Sequence, residues 1–432
     1  MNTDRLEIAR LYHRFGFGPR PGEFKAALTN GVTATRSALL TVPDTDAGAD
    51  SVSEPNISDL GPRPKQKTDE LIEFSIALRA QLKELPLWWL DRMVLSDHGL
   101  TEKMTWFWHG HWATAIGKIN FAYPMYLQNK TFRDYALGNF DQQALAMIND
   151  AALQAWLDGG ENTVKAPNEN LARELMELFL LGVNRYTESD VRELSRSLTG
   201  YQVVKSSGQV TFNKKRFDPN LKTVLGKTSS FDGSTVTSHL VSQEDCAKFI
   251  AERIWFRFIS SQTALPANNQ LETAFADRDI TKLIEAAAST EILSNPNYSM
   301  VKAPVEWFVG VARFLRLTPS ALKTPGQLLG YLDKMAQVPF NPPNVGGWPT
   351  DESWLSSASA QYRIQFASWL IKQANLSEFT AIAPNKRFLW LQDELGVVAF
   401  SSRTRAALEN TKSDPAQMLL LAICSPEYIV SA

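Results

Sequence analysis

The sequence of 432 residues contains little cysteine and little histidine, and it has no long apolar run. Its two cysteines, Cys246 and Cys424, are far apart in the chain. They therefore form neither a disulfide framework nor the closely spaced pairs that a thiolate metal site needs. No stretch of about 18 consecutive apolar residues is present, so the sequence predicts no membrane span.

Charge of one sign is also missing, because 44 basic residues are balanced by 46 acidic ones. A net charge of −2 produces no long-range field for nucleic acid, and we expect no nucleic-acid partner. The start, Met1 to Glu7, carries charges of both signs and no apolar segment. It does not have the pattern of a signal peptide, and we therefore expect a cytoplasmic protein.

Most of the chain shows helical periodicity, which predicts an all-α fold. We expect an irregular array of many helices in one large domain over residues 1–432. Two stretches interrupt the pattern. Residues 43–68 are polar and rich in proline and glycine, which is typical of a flexible surface loop. Residues 201–240 are predicted as a β-hairpin, near 201–213, followed by an excursion of loops.

A helix predicted from Glu169 to Leu181 carries a polar stripe on an otherwise apolar surface. Helices that are apolar nearly all round are usually buried, and buried charges must be paired, protonated or bound to a metal. Three interpretations follow. Arg173 could pair with Glu177 in solvent, the stripe could form a buried structural network, or its carboxylates could face a metal or a substrate. The residues of the stripe are Asn170, Arg173, Glu174 and Glu177.

Two histidines, His109 and His111, flank Gly110 after a run of aromatic residues. Residues two apart do not share a helix face, so both could reach one metal only if the helix ended there. The simpler alternative is that His111 is a core histidine bonded to the backbone. Further along, Lys302 and Glu306 are four residues apart and form either an ordinary surface pair or part of a site. The rigid, aromatic loop 341–349 is either a pocket wall or a connection between helices.

Six motifs in the order found here resemble the bacterial domain-of-unknown-function family catalogued as number 1800. The resemblance extends from about residue 8 to residue 430. The motifs are Arg14-Phe15-Gly16-Phe17-Gly18, Trp108-His109-Gly110-His111-Trp112, Pro167 to Leu178, Tyr186 to Val191, Lys302-Ala303-Pro304-Val305-Glu306 and Pro342 to Trp348.

This resemblance implies a helical fold and no defined activity. It also implies export for many relatives, and a partner protein encoded nearby that is similar to phosphatases and sulfatases. The chain departs from the family pattern at Phe217-Asp218, where relatives tend to have His-Asp. Any ligand or acid–base role of that histidine is absent here.

Two functions are consistent with these patterns. The first is a metal-dependent hydrolase or oxidoreductase, because imidazole and carboxylate ligands suit iron, manganese or zinc. Its metal ligands would be His109, His111, Glu169 and Glu174, and its catalytic residues would be Arg173, Glu177, Lys302 and Glu306. The alternative is a non-enzymatic binding or assembly protein, in which aromatic grooves hold a partner chain or a glycan-like ligand.

Overall fold

The computed structural model describes residues 3–65 and 68–431. It is 59% helical, which confirms the all-α prediction. The α-helices of the described residues are α1 Thr3–Arg14, α2 Glu23–Asn30, α3 Val32–Leu40, α4 Ala47–Asp50, α5 Asp69–Leu95, α6 Gly99–His111, α7 Ile116–Ile119, α8 Ala122–Asp134, α9 Phe140–Ile148, α10 Ala151–Trp156, α11 Glu169–Glu174, α12 Glu188–Ser197, α13 Gly233–Val241, α14 Glu244–Ile254, α15 Gln270–Ala274, α16 Ile280–Ala287, α17 Thr290–Leu293, α18 Pro304–Leu315, α19 Pro325–Lys334, α20 Ser357–Ile371, α21 Ser377–Ala381, α22 Arg387–Glu394, α23 Ser402–Asn410, α24 Pro415–Ile423 and α25 Pro426–Ile429.

Five shorter helical segments have a different winding. Two are π-helical, Leu175–Leu180 and Trp255–Ile259, and each continues directly from an α-helix, α11 and α14 respectively. The helix predicted over 169–181 is therefore a composite of α11 and the first π segment. The other three are 3₁₀ turns, Gly159–Glu161, Pro319–Ala321 and Asp351–Trp354.

Three two-stranded antiparallel sheets complete the described structure. They pair β1 Tyr201–Val204 with β2 Gln209–Phe212, β3 Lys222–Val224 with β4 Lys227–Ser229, and β5 Met300–Val301 with β6 Val430–Ser431. The first pair is the predicted hairpin. The rest of the predicted loop excursion is more ordered than expected, since it contains the hairpin β3–β4 and helix α13. Both are short, and their apolar positions are too few to give a periodic pattern.

Two large hydrophobic cores meet at α6. Trp106 belongs to a core formed mainly with α5, α18, α20 and α24. Its neighbours Phe107 and Trp108 belong to a second core with α9, α12, α14 and the π segment 175–180. Helix α6 is therefore buried on both faces, which is expected of a helix that is apolar nearly all round.

Arginines fix several helix ends through backbone carbonyls. The end of α5 leaves carbonyl groups without helical partners. Arg313, which is buried on α18, donates to the carbonyls of Val94 and Ser96 at 3.1 and 2.8 Å. Arg20 also donates to the carbonyl of Ser96, at 2.8 Å. These bonds hold α5, α18 and the segment after α1 in a fixed arrangement beside α6.

The stretch 43–68 contains α4 and is attached to the helices at several points. The carboxylate of Asp46 accepts hydrogen bonds from the backbone N–H groups of Ala49, Asp97 and His98 at 2.8–2.9 Å. It thereby caps α4 and joins this stretch to the start of α6. Residues 66 and 67 lie outside the described residues. Within the described part of the chain, no helix is both long enough and apolar enough to cross a membrane.

Candidate binding pocket

His109 lies on the face of α6 that points to the first core. Its Nε2 accepts the backbone N–H of Phe340 at 3.0 Å, and its ring contacts Trp89 with centroids 5.2 Å apart. Burial lowers the pKa of His109 to about 3. The imidazole is therefore neutral and serves as a hydrogen-bond acceptor for a loop of the first core.

His111 points into the second core. Its Nε2 lies 2.9 Å from the carbonyl oxygen of Phe179, and its ring stacks on Phe107. Burial lowers the pKa of His111 to about 3, with a further contribution from the charges of Arg253 and Arg257. The contacts of His111 are therefore those of a core histidine bonded to the backbone, the simpler of the two alternatives given above. Since α6 continues through Gly110, the two histidines leave the helix in different directions.

The polar stripe of α11 pairs with the start of α12 and not with either histidine. Arg173 donates two hydrogen bonds to Glu188, both 2.8 Å, and contacts Glu169 at 3.3 Å. The side chains of Arg173 and Glu169 are 35% and 41% exposed. Arg173 thus pairs with Glu188 and not with Glu177, the partner in the first of the three interpretations. Glu188 accepts two hydrogen bonds at once, and this bidentate geometry is the one that a guanidinium group prefers.

Glu174 and Glu177 lie on the same half-buried edge. The hydroxyl of Tyr186 donates to Glu177. The pKa of Glu174 is raised by partial burial and by the charge of Glu177, and Arg173 opposes this shift. The motifs Pro167 to Leu178 and Tyr186 to Val191 are therefore partners of each other. A capping box between Thr187 and Asp190 starts α12.

The predicted metal ligands are not assembled into one centre. His109 faces the first core, His111 faces the second, and Glu169 and Glu174 lie on the partly exposed stripe. Across residues 3–65 and 68–431, no group of three or more histidine, cysteine, aspartate or glutamate side chains could hold a metal ion. The physical reason is the i, i+2 spacing of the histidines on a helix that does not end between them.

The predicted catalytic residues Lys302 and Glu306 do lie together, but not as a surface pair. Glu306 forms an ion pair with Lys103 of α6 and accepts the backbone N–H of Ala303 at 3.4 Å. Lys302 is buried, with its ammonium nitrogen 3.6 Å from the ring centroid of Tyr428. Burial lowers the pKa of Lys302 well below its ordinary value, and Glu306 only partly opposes this.

Glu306 and Lys103 line a pocket between α6, the π segment 255–259, the start of α18 and the turn Asp351–Trp354. The cavity it encloses is small, about 50 Å³, below the ~300 Å³ at which typical small-molecule sites begin, and it continues into open solvent. Eight of its lining residues have apolar or aromatic side chains: Trp106, Phe107, Phe258, Met300, Val301, Ala303, Trp348 and Trp354.

The loop 341–349 forms one wall of this pocket, which is the first of the two alternatives for this segment. Trp348 stacks on Trp106 with ring centroids 4.8 Å apart and planes 23° from parallel. Gly347 has a φ of +84° and packs against the backbone of Gly110, where a Cβ atom has no room. Gly347 therefore allows the loop to lie directly on α6.

Four charged residues line the pocket, and two of them have no ion-pair partner within the described part of the chain. Lys103 and Glu306 neutralise each other. Arg257 donates to the carbonyl of Trp348 at 3.0 Å, and burial lowers its pKa to about 9, with Arg253 adding to this and Glu306 opposing it. Asp351 accepts the backbone N–H of Val301 at 3.3 Å. One guanidinium and one carboxylate therefore remain to interact with a ligand.

Two further polar atoms at the pocket are buried without a hydrogen-bond partner among the described residues, the Ser261 hydroxyl oxygen and the Trp348 indole nitrogen. Sequence reasoning missed Arg257, Ser261 and Asp351, because nothing in their local pattern sets them apart. Lys103 did give a signal, since it is the basic residue of an otherwise apolar helix and lies one turn before Trp106 and Phe107.

These features define a mostly helical protein with an aromatic pocket that is lined by four charged residues. The chain belongs to the family described as "Protein of unknown function (DUF1800)", whose model matches residues 10–430. The family predicted from the sequence motifs is thus confirmed. Comparison with curated proteins and with solved structures gave no match.

Proposed function

We propose that this protein binds a small organic anion in the pocket between α6 and the turn Asp351–Trp354, with Arg257 as the residue that receives the negative charge. The observation that carries the proposal is a half-buried guanidinium on the pocket wall with no carboxylate of the described residues in ion-pair contact. An unpaired charge in such surroundings is costly, and an anionic ligand removes that cost. Arginine is well suited to this task because its planar fork matches a carboxylate.

The rest of the lining supports the same ligand class. The indole N–H of Trp348 and the hydroxyl group of Ser261 can donate hydrogen bonds beside the guanidinium. Donors that converge on one region favour an oxyanion. The stacked pair Trp106 and Trp348 offers a flat apolar wall. A ligand with a carboxylate and a flat or apolar body satisfies both parts of the pocket.

Titration of the purified protein with 3-phenylpropanoate tests the proposal, followed by tryptophan fluorescence and by calorimetry. We expect saturable binding that Arg257→Gln weakens at least about tenfold, since charge-assisted hydrogen bonds contribute about 1.5–3 kcal/mol. Arg403→Gln, at an exposed arginine of α23, is the matched control and should bind as the wild type does. No binding by the wild type, or equal affinity for Arg257→Gln, would refute the proposal.

The metal-dependent enzyme remains a hypothesis from sequence, and no contact among the described residues favours it. It predicts a transition metal in the purified protein that depends on His111 or Glu174. Metal analysis of the wild type and of Glu174→Ala checks this point independently of the titration. A stoichiometric metal that is lost in a well-folded Glu174→Ala variant would favour the enzyme over the binding protein.

A further inference from the structure

We infer that the ligand of this pocket is a zwitterion, whose carboxylate binds Arg257 and whose ammonium group binds Asp351. The inference rests on the proposed function and adds to it the second charge of the ligand. An amino acid with an aromatic or aliphatic side chain has the required chemistry. The ends of a short peptide carry the same two groups, and the experiment below distinguishes these sources.

The first step is the balance of charge on the pocket wall. The lining contains two cations, Lys103 and Arg257, and two anions, Glu306 and Asp351. Lys103 and Glu306 form an ion pair with each other. In the described part of the chain, neither Arg257 nor Asp351 takes part in such a pair. A simple anion would satisfy Arg257 and leave Asp351 unpaired near the added negative charge. A zwitterion satisfies both residues.

The second step is the placement of Asp351. Its φ of 52° puts it in the left-handed region, which is unfavourable for residues other than glycine and is least costly for aspartate and asparagine. Its carboxylate is held by the backbone N–H of Val301 in β5. Such strained positions are found more often at binding sites than elsewhere. The turn that Asp351 opens also brings Trp354 to the wall.

The third step is the body of the ligand. The same pocket has aromatic walls, formed by Trp106, Trp348, Phe107 and Phe258. Such walls favour an apolar side chain over a polar one, because burial of apolar surface is the main favourable term. The enclosed cavity of about 50 Å³ has room for part of the ligand, and the remainder of an amino acid or a dipeptide lies at the open mouth of the pocket.

A series of three ligands with one aromatic body separates the two charges. Phenylalanine carries both, 3-phenylpropanoate lacks the ammonium group, and 2-phenylethylamine lacks the carboxylate. For the wild type we expect phenylalanine to bind at least about tenfold more tightly than either relative, since each lacks one charge-assisted hydrogen bond. The dipeptide Phe-Phe is the fourth ligand. Tighter binding of Phe-Phe than of phenylalanine assigns the site to peptide ends, and the reverse assigns it to free amino acids.

Asp351→Asn is the decisive variant. The side-chain oxygen of asparagine can still accept the backbone N–H of Val301, and asparagine tolerates the left-handed backbone. We therefore expect this variant to fold. We expect this variant to bind phenylalanine and 3-phenylpropanoate with equal affinity, while its affinity for 3-phenylpropanoate stays at or above that of the wild type.

If 3-phenylpropanoate binds the wild type as tightly as phenylalanine does, the zwitterion is refuted while the anion site stands. If none of the carboxylates binds, the proposed function fails as well. Should Asp351→Asn not fold, the ligand series on the wild type decides the question by itself, because it needs no substitution.

Discussion

The contact between Gly347 and Gly110 gives a sharp test of how the pocket is built. A methyl group on Gly347 would come within 3.0 Å of the Gly110 carbonyl oxygen, a separation that real Cβ atoms do not show. The backbone of Gly347, with φ at +84°, adds a cost of about 1–2 kcal/mol for any residue with a side chain. Forcing an overlap inside a packed region costs about 1–3 kcal/mol more. We therefore expect Gly347→Ala to lower the free energy of unfolding by about 3 kcal/mol.

Two neighbouring glycines are matched controls. Gly346→Ala brings a Cβ to 3.1 Å from the Asn344 side-chain oxygen at an ordinary backbone angle, so its effect should be much smaller. Gly110→Ala places a Cβ at 3.9 Å from the Trp348 ring, which is ordinary contact. Because glycine inside a helix is less stable than alanine by roughly 0.5–1 kcal/mol, Gly110→Ala should stabilise the protein slightly.

Thermal and urea unfolding of the three variants measure these differences. Near-ultraviolet circular dichroism reports the stack of Trp106 on Trp348, which should weaken in Gly347→Ala alone. The explanation would be wrong if Gly347→Ala were as stable as Gly346→Ala. If Gly110→Ala were strongly destabilised, Gly110 would be needed for something other than contact with the loop.

Three other substitutions test the electrostatics. Burial raises the pKa of Glu102, but its bonds with Arg133, Arg92 and Trp89 outweigh this and leave it at about 2, below its ordinary 4.5. The corresponding stabilisation, about 3 kcal/mol, is present above pH 4.5 and is lost as the pH falls towards 2. The free energy of unfolding of Glu102→Gln should therefore not show this loss between pH 4.5 and 2. Lys302→Met should raise the free energy of unfolding by up to about 2 kcal/mol, because it removes a buried amine. Since the pKa of Lys302 is lowered from 10.5, wild-type stability should rise with pH up to that value, and Lys302→Met should lose this rise. Glu188→Gln breaks only an exposed ion pair, so its unfolding curve should coincide with that of the wild type. If Arg173 instead belonged to a buried network, the Glu188→Gln substitution would be strongly destabilising.

Sequence periodicity was sufficient for the helical class and the hairpin at Tyr201–Phe212, because each depends on residues close together in the chain. It could not decide which way α6 turns its histidines. The spacing of His109 and His111 makes them point apart once α6 continues through Gly110, but only the positions of the two cores determine which core each histidine faces. The same limit applies to Arg257. Its role depends on which distant loop covers it and on a π segment that has no known sequence signal.

The six family motifs are divided by the fold into two groups. Four of them lie around the pocket. Phe17 of the first motif lies 5.2 Å from the ammonium group of Lys103, measured to its ring centroid. The helices that carry the second and fifth motifs, α6 and α18, are joined by the Lys103–Glu306 ion pair, and Trp348 of the sixth motif stacks on Trp106 of α6. The other two motifs pair through Arg173 and Glu188 at the surface. A structural role alone explains the second group, because its bonds join two consecutive helices. It does not explain the first group, whose segments come from distant parts of the chain and enclose a pocket that Arg257 and Asp351 also line. Since neither of these half-buried charges has an ion-pair partner among the described residues, each would gain from pairing with a ligand, and for this reason we propose the binding function for the pocket and not for the acidic edge of α11.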